Sequence, residues 1–142
     1  MEDLKIFEAD LRSELERPIA DSGVRAGFPS PAQDYPGRAI DLNRELVAHP
    51  ESTFYGRVEG DSMEEAGIFD GDIMVIDRSV EPRDGDVAVC RVGGEYTVKY
   101  VELHSDHAIL IPANPAYRPM RADAADGFGI WGIVTYVIHK VR

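Results

Sequence analysis

The stretch DVAVCRVGGEYTVKYVEL, residues 86–103, contains two runs rich in valine, tyrosine and threonine around a pair of glycines. β-Branched and aromatic residues are typical of strands, and Gly93-Gly94 between the runs predicts a tight hairpin. Runs of the same kind lie on both sides: STFYGRV at 52–58, DIMVIDR at 72–78, AILIP at 108–112 and GIWGIVTYVIHKV at 129–141. The predicted fold class is therefore mainly β, a small and mostly antiparallel β domain.

The N-terminal part of the chain has a different pattern, which predicts a helical and extended arm. Within residues 2–16, apolar residues recur at steps of three and four, which indicates a short helix that Pro18 ends. Those apolar residues are Leu4, Phe7, Leu11 and Leu15. Residues 18–37 contain four prolines and three glycines and are expected to be extended and irregular. A second short helix is expected over residues 41–48, with Asp41 as its N-cap.

Composition limits the classes of function. The chain has 142 residues, of which 44% are hydrophobic, and this suits one compact domain with an appendage. Its formal net charge is −11 without a cluster of Lys or Arg, so direct nucleic-acid binding is not expected, although contact through a partner protein stays open. No apolar stretch reaches 18 residues and the N-terminus lacks the pattern of a secretory signal, so we expect a cytosolic protein without membrane contact.

Cysteine and histidine are scarce. Cys90 is the only cysteine and lies inside the apolar run VAVCRV, which fits a reducing compartment and gives no disulfide framework. Of the four histidines, only His104 and His107 have a spacing that could suit a metal ligand pair, and they flank a predicted turn. Neither a metal nor another cofactor is expected.

Lys99 stands in an unusual place for a charged residue. In EYTVKYVEL, residues 95–103, alternate side chains point to opposite faces, and the run is apolar on both faces around Lys99. An ammonium buried there is costly unless it is paired or loses its proton. The alternative is an ordinary strand lysine whose charged end reaches water.

A serine in GDSM, residues 60–63, suggests that Lys99 acts as a base. A serine hydroxyl is a weak nucleophile and needs a base. A free lysine has a pKa of about 10.4, and lowering it by ~3 units requires about 4 kcal/mol, which burial against apolar side chains can supply. Ser62 is therefore the candidate nucleophile and Lys99 the candidate base. The backbone N–H groups of Asp61 and Ser62 could form the oxyanion hole, in a turn that Gly60 makes possible.

These motifs resemble a known family. GDSM, GIFDGDIMVID, GDVAVCRVGGEYTVKYVEL, LIPANPAYRP and GIVTYVIHKVR, in that order, are similar to the LexA/UmuD family of self-cleaving Ser–Lys proteins. FPSPAQDYPGRAIDLNRELVAHPESTF resembles the UmuD branch in particular, and the resemblance runs from about Arg25 to the C-terminus. It implies a LexA/signal-peptidase-like β fold, with Ser62 as nucleophile and Lys99 as general base.

The resemblance also implies a substrate, which is the arm of the protein itself. The matching bond is Ala26–Gly27, directly before FPSP, and small residues on both sides would let the backbone enter a narrow cleft. Residues 1–26 would then be an arm that self-cleavage removes, and residues 27–142 the peptidase domain. An extended arm could pair with a sheet edge, within one chain or across a dimer.

Partners follow from the same resemblance. RecA filaments on single-stranded DNA would stimulate cleavage as part of the SOS response to DNA damage. The shortened product would form a homodimer and join a UmuC-like, Y-family polymerase subunit in error-prone translesion synthesis.

Two features depart from the family. Glu64 and Glu65 follow the serine turn, and their charges are expected to raise the lysine pKa and slow cleavage. The first 24 residues match the family only loosely.

Three alternatives remain open at this point. A LexA-type repressor would need a DNA-binding domain in the 26 or so acidic residues before the candidate bond, which is too short a stretch for a helix-turn-helix. A signal peptidase would need a membrane anchor. A non-enzymatic interaction module with a silent site would retain the fold without the reaction, and the presence of both Ser62 and Lys99 argues against it.

Overall fold

The computed structural model describes residues 4–12, 16–20 and 36–142 of the chain. These residues divide into two compact units. The larger unit comprises residues 4–9 and 49–142, and the smaller comprises residues 10–12, 16–20 and 36–48.

The larger unit contains an eight-stranded sheet in which every neighbouring pair of strands is antiparallel. Its strands are β1 (Leu4–Glu8), β4 (Thr53–Val58), β5 (Ile73–Asp77), β6 (Val87–Val92), β7 (Glu95–Leu103), β8 (Ala108–Ile111), β9 (Met120–Ala122) and β10 (Gly129–Ile138). They lie in the order β1-β4-β5-β10-β6-β7-β8-β9. The predicted fold class is confirmed, and each predicted strand run forms a strand.

The hairpin between β6 and β7 has the turn that the sequence predicts. Gly93 and Gly94 have φ values of 58° and 82°, so both central residues occupy the left-handed region. A two-residue turn with both φ values positive matches the right-handed twist of the flanking strands, and glycine adopts it without steric cost.

Apolar side chains form two clusters, one on each face of the sheet. The first contains Ala88, Cys90, Val101, Leu110 and Ile133, and the second contains Val58, Met63, Met74, Ile76, Val89 and Val98, among others. Along β6, Cys90 belongs to the first cluster and Val89 to the second, as alternation in a strand requires. Because Val98 and Val101 also fall in different clusters, β7 is apolar on both sides of Lys99, as predicted, and Lys99 itself is half-buried.

The predicted helix over residues 2–16 is wrong for the part of it that the structure describes. Residues Leu4–Glu8 form β1, which pairs antiparallel with β4 at the edge of the sheet. Leu4 and Ile6 share the less exposed side of this strand, and Leu4 Cδ1 lies 3.1 Å from the position that a Cβ on Gly56 would take. The free edge of β4 and this packing outweigh a helical pattern that is too short to persist alone.

The smaller unit pairs β2 (Glu16–Ala20) with β3 (Pro36–Asp41), which leads into the short helix α1 (Leu42–Leu46). The Asp41 side chain accepts a hydrogen bond from the Asn43 N–H at 3.0 Å, so the predicted N-cap is confirmed. Pro18, expected to end a helix, lies within β2.

Candidate active site

Ser62 lies in a turn between the end of β4 and a short 3₁₀ helix at Glu64–Ala66. Gly60 has a φ of 99°, a backbone conformation that favours glycine, and its N–H donates to Asp70 Oδ1 at 2.8 Å. The turn withdraws the serine from solvent, since Ser62 is only 1% exposed.

Lys99 lies 37 positions further along the chain, in the middle of β7, and its side chain reaches this turn. Its Nζ lies 2.8 Å from Ser62 Oγ, 2.8 Å from Thr97 Oγ1 and 3.0 Å from the Val98 carbonyl oxygen. All three distances are within hydrogen-bonding range. The fold thus brings together the serine and the lysine that sequence analysis singled out.

The arrangement has a clear chemical capacity. A charged ammonium has three N–H donors and no acceptor, so in that state Lys99 can donate to all three oxygens. A neutral amine has a lone pair, which at this distance can take the proton of the Ser62 hydroxyl. The same two side chains could therefore hold the serine in place or activate it, depending on one proton.

Thr97 is a site residue that the sequence reasoning missed. It is 1% exposed, and its hydroxyl accepts a hydrogen bond from Lys99 Nζ. The signal that could have found it is strand alternation, since a residue two positions before the lysine points to the same face.

Lys99 is half-buried, and each of the two residues has an apolar neighbour directly beside it in the chain. Met63 and Val98 belong to the second cluster, against which Tyr100 and Ala113 also pack. Burial raises the pKa of the Cys90 thiol to about 12, and the nearby Lys99 charge only partly opposes this rise. Cys90 is therefore an inert, neutral thiol.

The other predicted site residues fall in three places. Asp61 lies in the serine turn with Ser62, and their role as oxyanion donors stays a prediction. Glu64 and Glu65 are exposed in the 3₁₀ helix, and their effect on the lysine also stays a prediction. Ala26 and Gly27 lie outside the described residues.

His104 and His107 stack with their ring centroids 4.5 Å apart. Within residues 4–12, 16–20 and 36–142, no group of three or more His, Cys, Asp or Glu residues is placed to hold a metal ion.

Comparison with known proteins identifies the family. A family model described as Peptidase S24-like matches residues 18–135 of the chain. The chain belongs to the S24-like peptidase family. The family-level resemblance to LexA/UmuD proteins is confirmed, and the chain is a UmuD-like member of the serine peptidase class.

Three S24-like relatives match most of the chain. Protein SamA of Salmonella typhimurium is 42% identical over 125 residues, which cover 88% of this chain and 86% of that protein. Protein ImpA of Escherichia coli is 38% identical over 127 residues, or 89% of this chain and 86% of the relative. Protein MucA of Escherichia coli is 37% identical over 133 residues, or 92% and 90%. Among the described helices of this S24-like chain, none combines the length and the apolar character needed to cross a bilayer.

Proposed function

We propose that this protein is an autocatalytic serine endopeptidase that cuts its own chain between Ala26 and Gly27. The observation that carries the proposal is the 2.8 Å separation between Ser62 Oγ and Lys99 Nζ in an S24-like peptidase fold. A nucleophile and a base within hydrogen-bonding reach are what the acyl-transfer reaction requires. The choice of bond comes from the resemblance to UmuD-like proteins.

The first half of the reaction forms an ester. The neutral amine of Lys99 takes the hydroxyl proton of Ser62, and Oγ attacks the carbonyl carbon of Ala26. The N–H groups of Asp61 and Ser62 stabilise the oxyanion of the tetrahedral intermediate. When the intermediate collapses, the C–N bond to Gly27 breaks, and the Lys99 ammonium returns the proton to the departing amine.

The second half of the reaction releases the arm. Lys99 is neutral again and takes a proton from a water molecule, which attacks the ester carbonyl. Collapse of this second intermediate breaks the bond to Ser62 Oγ, which regains its proton from Lys99. Residues 1–26 then end in a new carboxylate, and residues 27–142 begin with the amine of Gly27.

The environment supports a lysine that works as a base. Charged groups are disfavoured where apolar side chains replace water, and Lys99 lies half-buried on a strand that contributes side chains to both apolar clusters. Thr97 and the Val98 carbonyl limit where the amine can go, so the lone pair stays close to Ser62.

Incubation of the purified full-length chain at alkaline pH tests this proposal. High pH favours the neutral amine, so we expect slow release of a fragment of residues 1–26, identified by its mass. Ser62→Ala should abolish the release, whereas Ser105→Ala, at an exposed position, should leave it unchanged. Fragment release at the same rate in Ser62→Ala would remove the peptidase function.

We further propose that the cut serves the SOS response in the cytoplasm. By the resemblance to UmuD-like proteins, RecA filaments on single-stranded DNA stimulate the cut. Residues 27–142 then form a homodimer that joins a UmuC-like polymerase subunit for translesion synthesis. A net charge of −11 fits a subunit that leaves DNA binding to the polymerase.

Adding RecA, single-stranded DNA and nucleotide at neutral pH tests this second step. We expect faster appearance of the fragment of residues 1–26 only when all three components are present, and none from Ser62→Ala. The processed chain should then elute as a dimer and bind a UmuC-like subunit. Cleavage at an unchanged rate in the complete mixture would contradict the proposed activation by RecA.

A further inference from the structure

The loop of residues 112–117, PANPAY, lies between β8 and β9 and contacts the serine turn. The Ala113 N–H donates to the Ser62 carbonyl at 2.8 Å, and the Ala113 carbonyl accepts from the Glu65 N–H at 2.8 Å. This loop takes no part in the proton transfers described above, yet it is hydrogen-bonded to the backbone of Ser62 and of Glu65.

Asn114 makes the most specific of these contacts. Its Nδ2 donates to the Asp61 carbonyl oxygen at 2.8 Å, while its Oδ1 accepts from the Ala116 N–H at 2.9 Å. Only one orientation of the carboxamide satisfies both bonds, because its nitrogen donates and its oxygen accepts. The side chain is thus fixed at both ends and holds the Asp61 carbonyl in one direction.

The held carbonyl controls a group that the proposed reaction uses. The Asp61 carbonyl and the Ser62 N–H belong to the same peptide group, which is planar and trans. The two groups point in opposite directions, so a fixed carbonyl fixes the direction of the N–H. The Asp61 carbonyl also accepts from the Glu64 N–H at 3.3 Å, so Asn114 supplies the shorter of its two hydrogen bonds.

Tyr117 adds a second attachment to the same residue. Its hydroxyl donates a hydrogen bond to Asp61 Oδ1. Asn114 therefore holds the backbone of Asp61, and Tyr117 holds its side chain. The two residues lie 53 and 56 positions after Asp61 in the sequence.

We propose that Asn114 is a positioning residue for the oxyanion hole. Through the Asp61 carbonyl it keeps the Ser62 N–H in the direction from which it can donate to the oxyanion. This role rests on the proposed function, since it assumes that Ser62 forms a tetrahedral intermediate.

The pH profile of self-cleavage in Asn114→Ala gives the first test. Because the hole is misaligned while the Ser62–Lys99 contact is intact, the maximal rate should fall about 100-fold while the pH of half-maximal rate stays unchanged. Arg118 is exposed and directly follows the loop, so Arg118→Ala should keep the wild-type rate. An unchanged maximal rate, or a fall that comes with a shifted pH midpoint, would overturn the positioning role.

Amide hydrogen exchange gives a second test that does not need cleavage. In a Ser62→Ala background, Asn114→Ala should speed exchange of the amides of residues 60–63 by at least about tenfold, while the amides of β6 and β7 keep their rates. If the wild-type chain never cuts itself, the peptidase proposal fails, but this measurement still decides whether Asn114 orders the turn. Equal exchange with and without Asn114 would overturn the inference.

Discussion

Thr97 Oγ1 lies 2.8 Å from Lys99 Nζ, and the two residues stand two positions apart on β7. Strand alternation places them on the same face, so the threonine hydroxyl and the lysine amine meet without any distortion of the strand. With Thr97 on one side and Ser62 on the other, the Lys99 amine is held beside the Ser62 hydroxyl by a residue of its own strand.

Thr97→Val should slow self-cleavage. Valine keeps the branched shape but removes the oxygen, so we expect the maximal rate to fall about tenfold, equivalent to about 1.4 kcal/mol. The hydroxyl stabilises the ammonium by accepting its hydrogen bond, so its loss should also move the pH of half-maximal rate downward. Thr135→Val, on the exposed part of β10, is the matched control. A variant with the wild-type profile would show that Thr97 does not hold the amine.

Lys99→Arg should abolish the rise of the cleavage rate with pH. A guanidinium remains charged at every accessible pH and cannot take the serine proton, so the rate should fall at least about 100-fold. The rate can be followed by gel electrophoresis between pH 7 and 10. Lys140→Arg, at an exposed position near the C-terminus, should behave like the wild type. If the cleavage rate of Lys99→Arg still rises with pH, the base is another group.

Asp77, the last residue of β5, should make stability depend on acid pH. Burial alone would raise the pKa of the Asp77 carboxyl. Hydrogen bonds from Ser79, His49 and Ser52 outweigh burial and hold that pKa below its ordinary value. A lowered folded-state pKa adds stability that is present above about pH 4 and is lost as the pH falls through the lowered value.

Asp77→Asn should therefore lower the free energy of unfolding by about 2 kcal/mol at pH 7. The difference should shrink as the pH falls from about 4 through the lowered Asp77 pKa, because the wild-type carboxyl becomes protonated over that range. Thermal unfolding at pH 7 and at pH 3 measures both effects, with Glu81→Gln at an exposed position as the control. A constant difference between the two pH values would contradict the predicted linkage.

Gly132 and Gly129, both in β10, allow a matched test of how tightly the sheet is packed at Gly132. A Cβ on Gly132 would lie 2.6 Å from Ile76 Cγ2, whereas one on Gly129 would meet nothing within 4 Å. Gly132→Ala should therefore cost about 1–3 kcal/mol of unfolding free energy, because the buried Ile76 must move. Gly129→Ala should be neutral or slightly stabilising in the same denaturant titration. Equal stabilities of the two variants would contradict the tight contact.

The strands and the site pair could be predicted because their signals are local. The runs of β6 and β7 contain β-branched and aromatic residues around two glycines, and Lys99 stands out because both faces of its strand are apolar. Ser62 could be joined to Lys99 because a serine nucleophile needs a base.

The features that were missed depend on distant parts of the chain. Leu4 has helical spacing to Phe7, but the edge of β4 and the space above Gly56 make a strand the better conformation. β9 is only three residues long and has no β-branched residue, so it depends on its pairing with β8. Asn114 reaches Asp61 across 53 positions, a distance at which no local pattern gives a signal.

The place of β1 has a consequence for what a cut after Ala26 would achieve. Leu4–Glu8 is joined to β4 along its whole length, and these pairings do not depend on the Ala26–Gly27 bond. Hydrolysis would convert an intramolecular contact into a complex of two molecules, whose lifetime is set by a dissociation constant and by dilution. Scission and departure of the peptide would then be separate events, each with its own rate.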